Sequence, residues 1–382
     1  MSGAASKNGL YIHIPFCRSK CGYCAFNSYP IAAGHDPARY LAALYREVDF
    51  WSGRARDDEF GSIFIGGGTP TILTPHELTG LLAILRKKFA IDEDAEITIE
   101  TNPNTVNPAK LTELRNCGVN RLSIGIQSFC DRTLHLINRT HTGAEGREAV
   151  RLARQAGFAN LNLDLIYGLP GQTPSTWQET LEEGLTLKPD HLAAYQLSID
   201  PGSGFAEQVA QGKLHLPDED ETATMAEQTL TTISAAGLDR YEISNYARPG
   251  HYCRHNLIYW HNGSYLGLGA GAVSNWSGLR LLNVADPTLY AKRLENGDPP
   301  WQEAEALARE PSFRETVIMG LRLIEGLRLT DLQERFGIDP VEYYGDTLHK
   351  LVKRGLVQVT ADRISLTEAA LPFANQVLTE LV

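Results

Sequence analysis

The sequence predicts an α/β fold: a partial (β/α)6 barrel, TIM-like in layout, followed by a small winged-helix-like α+β domain. Three observations carry this. Strand-like and helix-like patterns alternate through the first two-thirds of the chain. Capping residues and glycines punctuate that alternation. The pattern then changes twice, dividing the chain into a barrel at 1–240, a connecting segment at 241–305 and a C-terminal domain at 306–382.

The predicted strands are 10–16, 62–65, 96–100, 121–126, 161–167 and 191–199. They are short, rich in β-branched residues and end in turn or polar residues. Helices are predicted between them at 37–51, 75–89, 108–117, 143–156 and 175–187, each with apolar positions three to four apart. Thr74-Pro75 and Asn107-Pro108 place a capping residue before a proline suited to the first helical position. Cys117-Gly118 and Ala156-Gly157 read as helix ends closed by glycine. Such β/α repetition implies parallel strands joined by right-handed crossovers. In a barrel of this kind, functional groups belong at the C-terminal ends of the strands.

A further helix is predicted at 218–236. The stretch 245–278 is rich in Tyr, His, Asn, Trp and Gly and is too long for an ordinary connection, which marks it as functional. The C-terminal domain reads as helices at 313–323, 329–336 and 340–354, a hairpin of 355–359 with 363–366, and a closing helix. Domains of this shape can bind DNA, but the formal charge of −11 argues equally for docking or a lid.

A chain of 382 residues has room for two to three domains. Its 43% hydrophobic and 21% charged content is ordinary for a globular protein. The acidic balance gives no sign of a general nucleic-acid binder, although it leaves room for a local basic patch. No apolar run approaches the ~18 residues of a membrane span. Residues 1–10 are short, polar and without an apolar signal core, so a cytoplasmic protein is expected.

Three of the six cysteines, Cys17, Cys21 and Cys24, fall within eight residues directly after the first strand. Clustered cysteines in such a chain point to a metal or redox site rather than a disulfide framework. Thiolates suit zinc or iron–sulfur clusters. A structural zinc site closes with four protein ligands. Here Ala25 and Phe26 follow Cys24, and only His13 and His35 are nearby substitutes. Three cysteines on an iron–sulfur cluster would leave one iron open. Tyr23 and Phe26 are expected to shield the cluster from solvent.

Gly66-Gly67-Gly68-Thr69-Pro70 ends the second strand. Alone, such a run reads as a tight turn. Beside the cysteine loop, its missing side chains would let backbone approach a ligand. Glu100, Gln127, Asp164 and Ser198 lie at or near the ends of successive strands, where together they would wall a ligand site. Arg139, in a loop with Asn138 and His141, is a candidate carboxylate clamp.

Tyr11-Ile12-His13-Ile14-Pro15-Phe16-Cys17 with its cysteines, the glycine run, Ser123-Ile124-Gly125-Ile126-Gln127-Ser128-Phe129 and the stretch from Asp164 to Gln172 together resemble the radical SAM superfamily. The likeness is to the branch of oxygen-independent coproporphyrinogen III oxidases and heme chaperones, and it covers nearly the whole chain. It implies a barrel of the radical SAM type. It implies a [4Fe–4S] cluster on Cys17, Cys21 and Cys24, with S-adenosylmethionine chelating the open iron. Tyr11, Tyr23, Gly67, Gly68, Thr69, Glu100, Gln127, Arg139, Asp164 and Ser198 would line the S-adenosylmethionine site.

His255-Asn256-Leu257-Ile258-Tyr259-Trp260 resembles the HNxxYW signature of the heme chaperone group. A histidine nitrogen is a common axial ligand for heme iron. The resemblance therefore makes His255 a heme ligand, with Asn256 and Tyr259 beside it and Cys253 a rival. If helical, this stretch puts His255 and Tyr259 on one face. Two departures weigh against the oxidase: Phe26 stands where its pattern has a further cysteine, and only about ten residues precede the first strand. The expected function is heme delivery to an acceptor protein, with a respiratory, membrane-associated protein among the candidates. A homodimer through the cluster region is left open. The alternatives are a coproporphyrinogen III oxidase or a radical SAM enzyme on another substrate.

Overall fold

The computed structural model describes residues 7–201 and 203–382; the first six residues of the polar N-terminal stretch lie outside it. Six parallel strands form the barrel wall: β1 (Asn8–Ile14), β2 (Glu59–Gly67), β3 (Ala90–Thr101), β4 (Arg121–Gln127), β5 (Asn160–Tyr167) and β6 (His191–Gln196). Between them lie α1 (Pro37–Ser52), α2 (Pro75–Lys88), α3 (Pro108–Asn116), α4 (Gly143–Gln155) and α5 (Pro174–Thr186); α6 (Glu219–Ala235) follows β6. The capping signals act as expected. Thr74 Oγ1 accepts from the Glu77 amide, the Thr74 amide donates to the Glu77 carboxylate in return, and Asn107 accepts from the Lys110 amide.

The wall obeys period two, with an unusual distribution. Ile63, Ile65, Ile97, Ile99, Leu122, Ile124, Leu161 and Leu163 are buried in the apolar core. The alternate positions point the other way, into the barrel, and many are polar: Glu100, Arg121, Ser123, Asn162, Asp164 and His191. The barrel therefore has an apolar outer layer and a polar lumen.

The sheet does not stop at six strands. After β7 (Asp239–Arg240), β8 (Asn245–Ala247) and α7 (Arg254–Trp260), the chain adds β9 (Tyr265–Leu268) in parallel to the free edge of β1. Antiparallel β10 (Val273–Trp276), β11 (Leu279–Asn283) and β12 (Trp301–Ala306) extend that edge, with α8 (Pro287–Asn296) between the last two. The order is β12-β11-β10-β9-β1-β2-β3-β4-β5-β6-β8-β7, twelve strands in one sheet. The segment 245–278, read from sequence as a functional connection, thus also supplies sheet. Its strands are only three to four residues long, too short for a period-two signal to stand out.

Beyond β12, α9 (Arg309–Gly320), α10 (Leu329–Phe336) and α11 (Pro340–Lys353) pack with a three-stranded sheet around a second core that includes Phe313, Leu332, Leu351 and Ile364. Among the described residues no helix is long and apolar enough to cross a membrane.

Candidate functional site

The cysteine loop lies at the C-terminal mouth of the barrel and is fixed from three sides. Gly68 donates its amide to the Ile14 carbonyl at 2.9 Å, and Thr69 donates to Phe16 at 2.8 Å. A Cβ at Gly68 would stand 2.6 Å from the Phe16 carbonyl oxygen, so glycine alone lets these backbones meet. Within the loop, Gly22 donates to the Ile137 carbonyl at 3.3 Å and accepts from the Phe205 amide at 2.9 Å. Asn27 Nδ2 donates to the carbonyls of Ala270 and Ala285, both at 3.0 Å. The Asn27 carbonyl accepts from His13 Nε2 at 2.8 Å. That bond fixes the proton on Nε2, so His13 Nδ1 accepts from the Tyr11 hydroxyl at 2.8 Å.

All three thiols are half-buried. The Thr69 hydroxyl donates to Cys17 at 3.6 Å, Arg139 Nη1 reaches Cys21 at 3.7 Å, and Ser28 Oγ lies 3.8 Å from Cys24. Burial pushes the Cys17 thiol up, against the pull of the Thr69 hydroxyl. Among the described residues, no three His, Cys, Asp or Glu side chains converge closely enough to hold a single metal ion. A cluster in which each cysteine takes its own iron needs no such convergence.

Behind the thiols, Arg139 Nη2 donates to Asn102 Oδ1 at 2.7 Å and to the Gly125 carbonyl. Asn102 Nδ2 in turn donates to Thr69 Oγ1 at 2.9 Å. Gln127 closes β4 with φ +65°, a left-handed backbone rarely adopted outside glycine. Two polar atoms here are buried without a partner: Arg139 Nε and Gln127 Oε1. One needs an acceptor and the other a donor, so a zwitterionic guest carrying carboxylate and amine would satisfy both.

Below the mouth, a cavity of about 200 Å³ occupies the lumen. Tyr11, Glu100, Asp164, His255, Asn256 and Tyr259 all line it. Glu100 Oε2 accepts from the Gly67 amide at 3.1 Å. Burial, with Asp164 adding a like charge, pushes Glu100 up to about 7. Asp164 is also raised by burial, although Asn162 at 2.8 Å and Ser123 at 3.0 Å donate to it and oppose the rise.

The predicted residues thus separate into two groups. Cys17, Cys21, Cys24, Thr69, Gln127 and Arg139 meet at the mouth, with Tyr23 close to Cys21 and Arg139. Tyr11, Glu100 and Asp164 lie on the cavity wall. Ser198 is brought to neither: β6 ends at Gln196, and Ser198 is exposed and donates to Asp200 at 3.4 Å. Phe26 does not shield the loop; it is 69% exposed, on a bend with Asn27.

The placement of His255 departs most from expectation. Helix α7 closes the opposite, N-terminal end of the barrel, and His255 is 1% exposed. Both of its ring nitrogens are engaged, Nδ1 with Ser62 Oγ at 2.8 Å and Nε2 with Tyr259 Oη at 2.9 Å. Its ring stacks on Phe64 with centroids 5.3 Å apart. Glu96 caps the helix from β3, accepting from the Arg254 and His255 amides at 3.1 Å each. His255 and Tyr259 do share a face, as read from the spacing, but that face looks into the lumen rather than toward solvent. Burial, with the Arg121 charge, lowers His255 to about 3, so the imidazole is neutral. Sequence reasoning missed Asn102, Arg121, Glu96 and Asn162. The signal for three of them was present, since a polar residue at every second position of β3, β4 and β5 marks a polar lumen.

A parallel partial barrel with a three-thiol loop at its mouth and orphaned polar groups behind it defines a radical SAM protein. The family model of the radical SAM superfamily matches residues 11–184, and that of the HemN C-terminal domain matches 307–373. The chain belongs to the heme chaperone HemW family. It is 34% identical over 368 residues to the heme chaperone HemW of Bacillus subtilis, covering 96% of this chain and 97% of that one. It is 36% identical to that of Mycobacterium tuberculosis H37Rv, over 94% of each chain. Among solved structures, coproporphyrinogen III oxidase (HemN) from Escherichia coli, described as a radical SAM enzyme, superposes with a TM-score of 0.87. That match is 26% identical and covers 98% of this chain and 90% of the other.

Proposed function

We propose that this chain is a heme chaperone, binding heme and passing it to an acceptor protein, with a [4Fe–4S] cluster on Cys17, Cys21 and Cys24 and S-adenosylmethionine on the open iron. The observation that carries the reading is the match along 94–97% of relatives described as heme chaperones. The mouth supports the cofactor assignment. Arg139 Nε offers the donor a carboxylate needs, and Gln127 Oε1 the acceptor an amine needs. When bound, such a cluster supplies single electrons to S-adenosylmethionine. The protein's own residues position and enclose: Thr69 and Arg139 donate toward the Cys17 and Cys21 sulfurs, which stabilises their thiolates. Ligation of heme iron by His255 requires one ring nitrogen to be freed; turning α7 out of the barrel breaks the Ser62 bond and frees Nδ1, while Tyr259, on the same helix, moves with the ring.

The test is direct. Hemin added to the purified, cluster-loaded chain should give a shifted Soret band that His255→Ala weakens. An unchanged spectrum in the variant would remove His255 as the ligand, and no band in the wild type would remove heme binding. The fold shared with HemN favours one second reading, oxidative decarboxylation of coproporphyrinogen III. Protoporphyrinogen formed anaerobically with S-adenosylmethionine and a reductant would establish it; no product from a fully loaded sample would dismiss it.

A further inference from the structure

Arg121 opens β4 and is 2% exposed, yet among the described residues its side chain forms no hydrogen bond or ion pair. Its Nε is buried with no hydrogen-bond partner. The charges that bear on it, among them Glu96 and Asp164, act through space rather than through a bond. Those carboxylates have commitments elsewhere. Glu96 caps α7 through both oxygens, Asp164 accepts from Asn162 and Ser123, and Glu100 takes the Gly67 amide. An arginine cannot shed its proton to escape burial, and a buried ion without a partner costs several kcal/mol. The guanidinium instead lines the cavity of about 200 Å³ inside the barrel. Tyr195, 41% exposed as a residue, completes part of the lining.

We propose that the lumen is a carboxylate-binding site in which Arg121 is the anchoring cation. Arg139 serves the mouth, and Arg121 lies deeper, at the strand's opposite end. The planar guanidinium matches a carboxylate through two parallel bonds, which favours that group over a spherical anion. The cavity is too small for a tetrapyrrole. It has room for a short carboxylate chain, either a free monocarboxylic acid or the propionate arm of a porphyrin whose ring stays outside. The porphyrin source rests on the heme reading above; the free-acid source does not.

The test titrates sodium propionate, hemin and hemin dimethyl ester into the full chain, as wild type, Arg121→Met and Arg121→Lys. Propionate should raise the melting temperature of the wild type, have no effect on Arg121→Met and a reduced effect on Arg121→Lys. If the carboxylate is a porphyrin arm, hemin affinity should fall roughly tenfold or more in Arg121→Met, while binding of the dimethyl ester stays unchanged. Hemin that fails to bind with propionate still bound overturns the heme reading and leaves the site standing. Propionate and hemin both indifferent to position 121 overturn the site. Should Arg121→Met fail to fold, 3-bromopropionate soaked into wild-type crystals decides: an anomalous bromine peak in the lumen with the carboxylate on the guanidinium supports the proposal, and a lumen without one refutes it.

Discussion

His255 shows how burial sets the chemistry of one residue. Its ordinary value near 6.5 falls to about 3, mainly because the enclosed lumen cannot solvate the imidazolium and secondarily because Arg121 repels it. In the unfolded chain the ring takes a proton below about 6.5; in the folded chain it does not until about 3. The unfolded state therefore binds more protons in that window, and stability falls as pH falls through it. At pH 5 this one group should cost about 2 kcal/mol relative to pH 7.5. Urea denaturation of wild type and His255→Gln at both pH values checks this, and the variant should show a shallower decline. Equal declines would place the acid sensitivity elsewhere. The cysteines were legible in the sequence because three thiols in eight residues depart from any structural background. The state of His255 was not, because its second partner, Ser62, comes from β2, an element that spacing alone does not bring to α7.

Among the elements, the cysteine loop and the segment 265–285 work as a pair. Asn27 is the tie, its amide bonded to two carbonyls of that segment. Gly271, at φ +74°, makes room: a Cβ there would stand 2.4 Å from Asn27 Nδ2. Asn27→Ala removes both bonds, worth about 1–3 kcal/mol together. The expected outcome is a cluster that forms but is lost several-fold faster on chelation or exposure to air, followed by absorbance near 400 nm and by iron content. Loss at the wild-type rate would mean that the other two sides of the loop suffice. The barrel strands and their helices were readable because runs of apolar residues and capping signals are local. The edge strands β9 to β12 were not, since each is short and is stabilised by its neighbours rather than by its own pattern.

At the scale of the whole molecule, the C-terminal domain braces the barrel floor. Arg335 in α10 donates to the carbonyls of His261 and Asn262 at 3.1 and 2.7 Å, just past the end of α7. Asn262 Nδ2 donates to Glu315 and Thr316 of α9, and Arg280 pairs with Glu315 at 2.7 Å. Helix α7 is thus held by Glu96 at one end and by the C-terminal domain at the other. Arg335→Ala should loosen it by about 1–3 kcal/mol and raise hydrogen exchange at the α7 amides, with the mouth unaffected. If release of α7 is how His255 becomes available, the same variant should take up hemin faster. Slower or unchanged uptake would separate the helix from heme entry.

The tie at Asn27 also sets an order of events during synthesis. Its two partners lie 243 and 258 residues further along the chain. While a ribosome is still adding residues at five to twenty per second, the thiols emerge early and the carbonyls that will steady them emerge late. The free edge of β1 likewise waits for β9. The nascent chain therefore carries an exposed strand edge and an incompletely secured cysteine loop through most of its translation. A cluster installed before residue 285 has left the ribosome would sit on a loop held from only two sides, so stable maturation belongs to the completed chain.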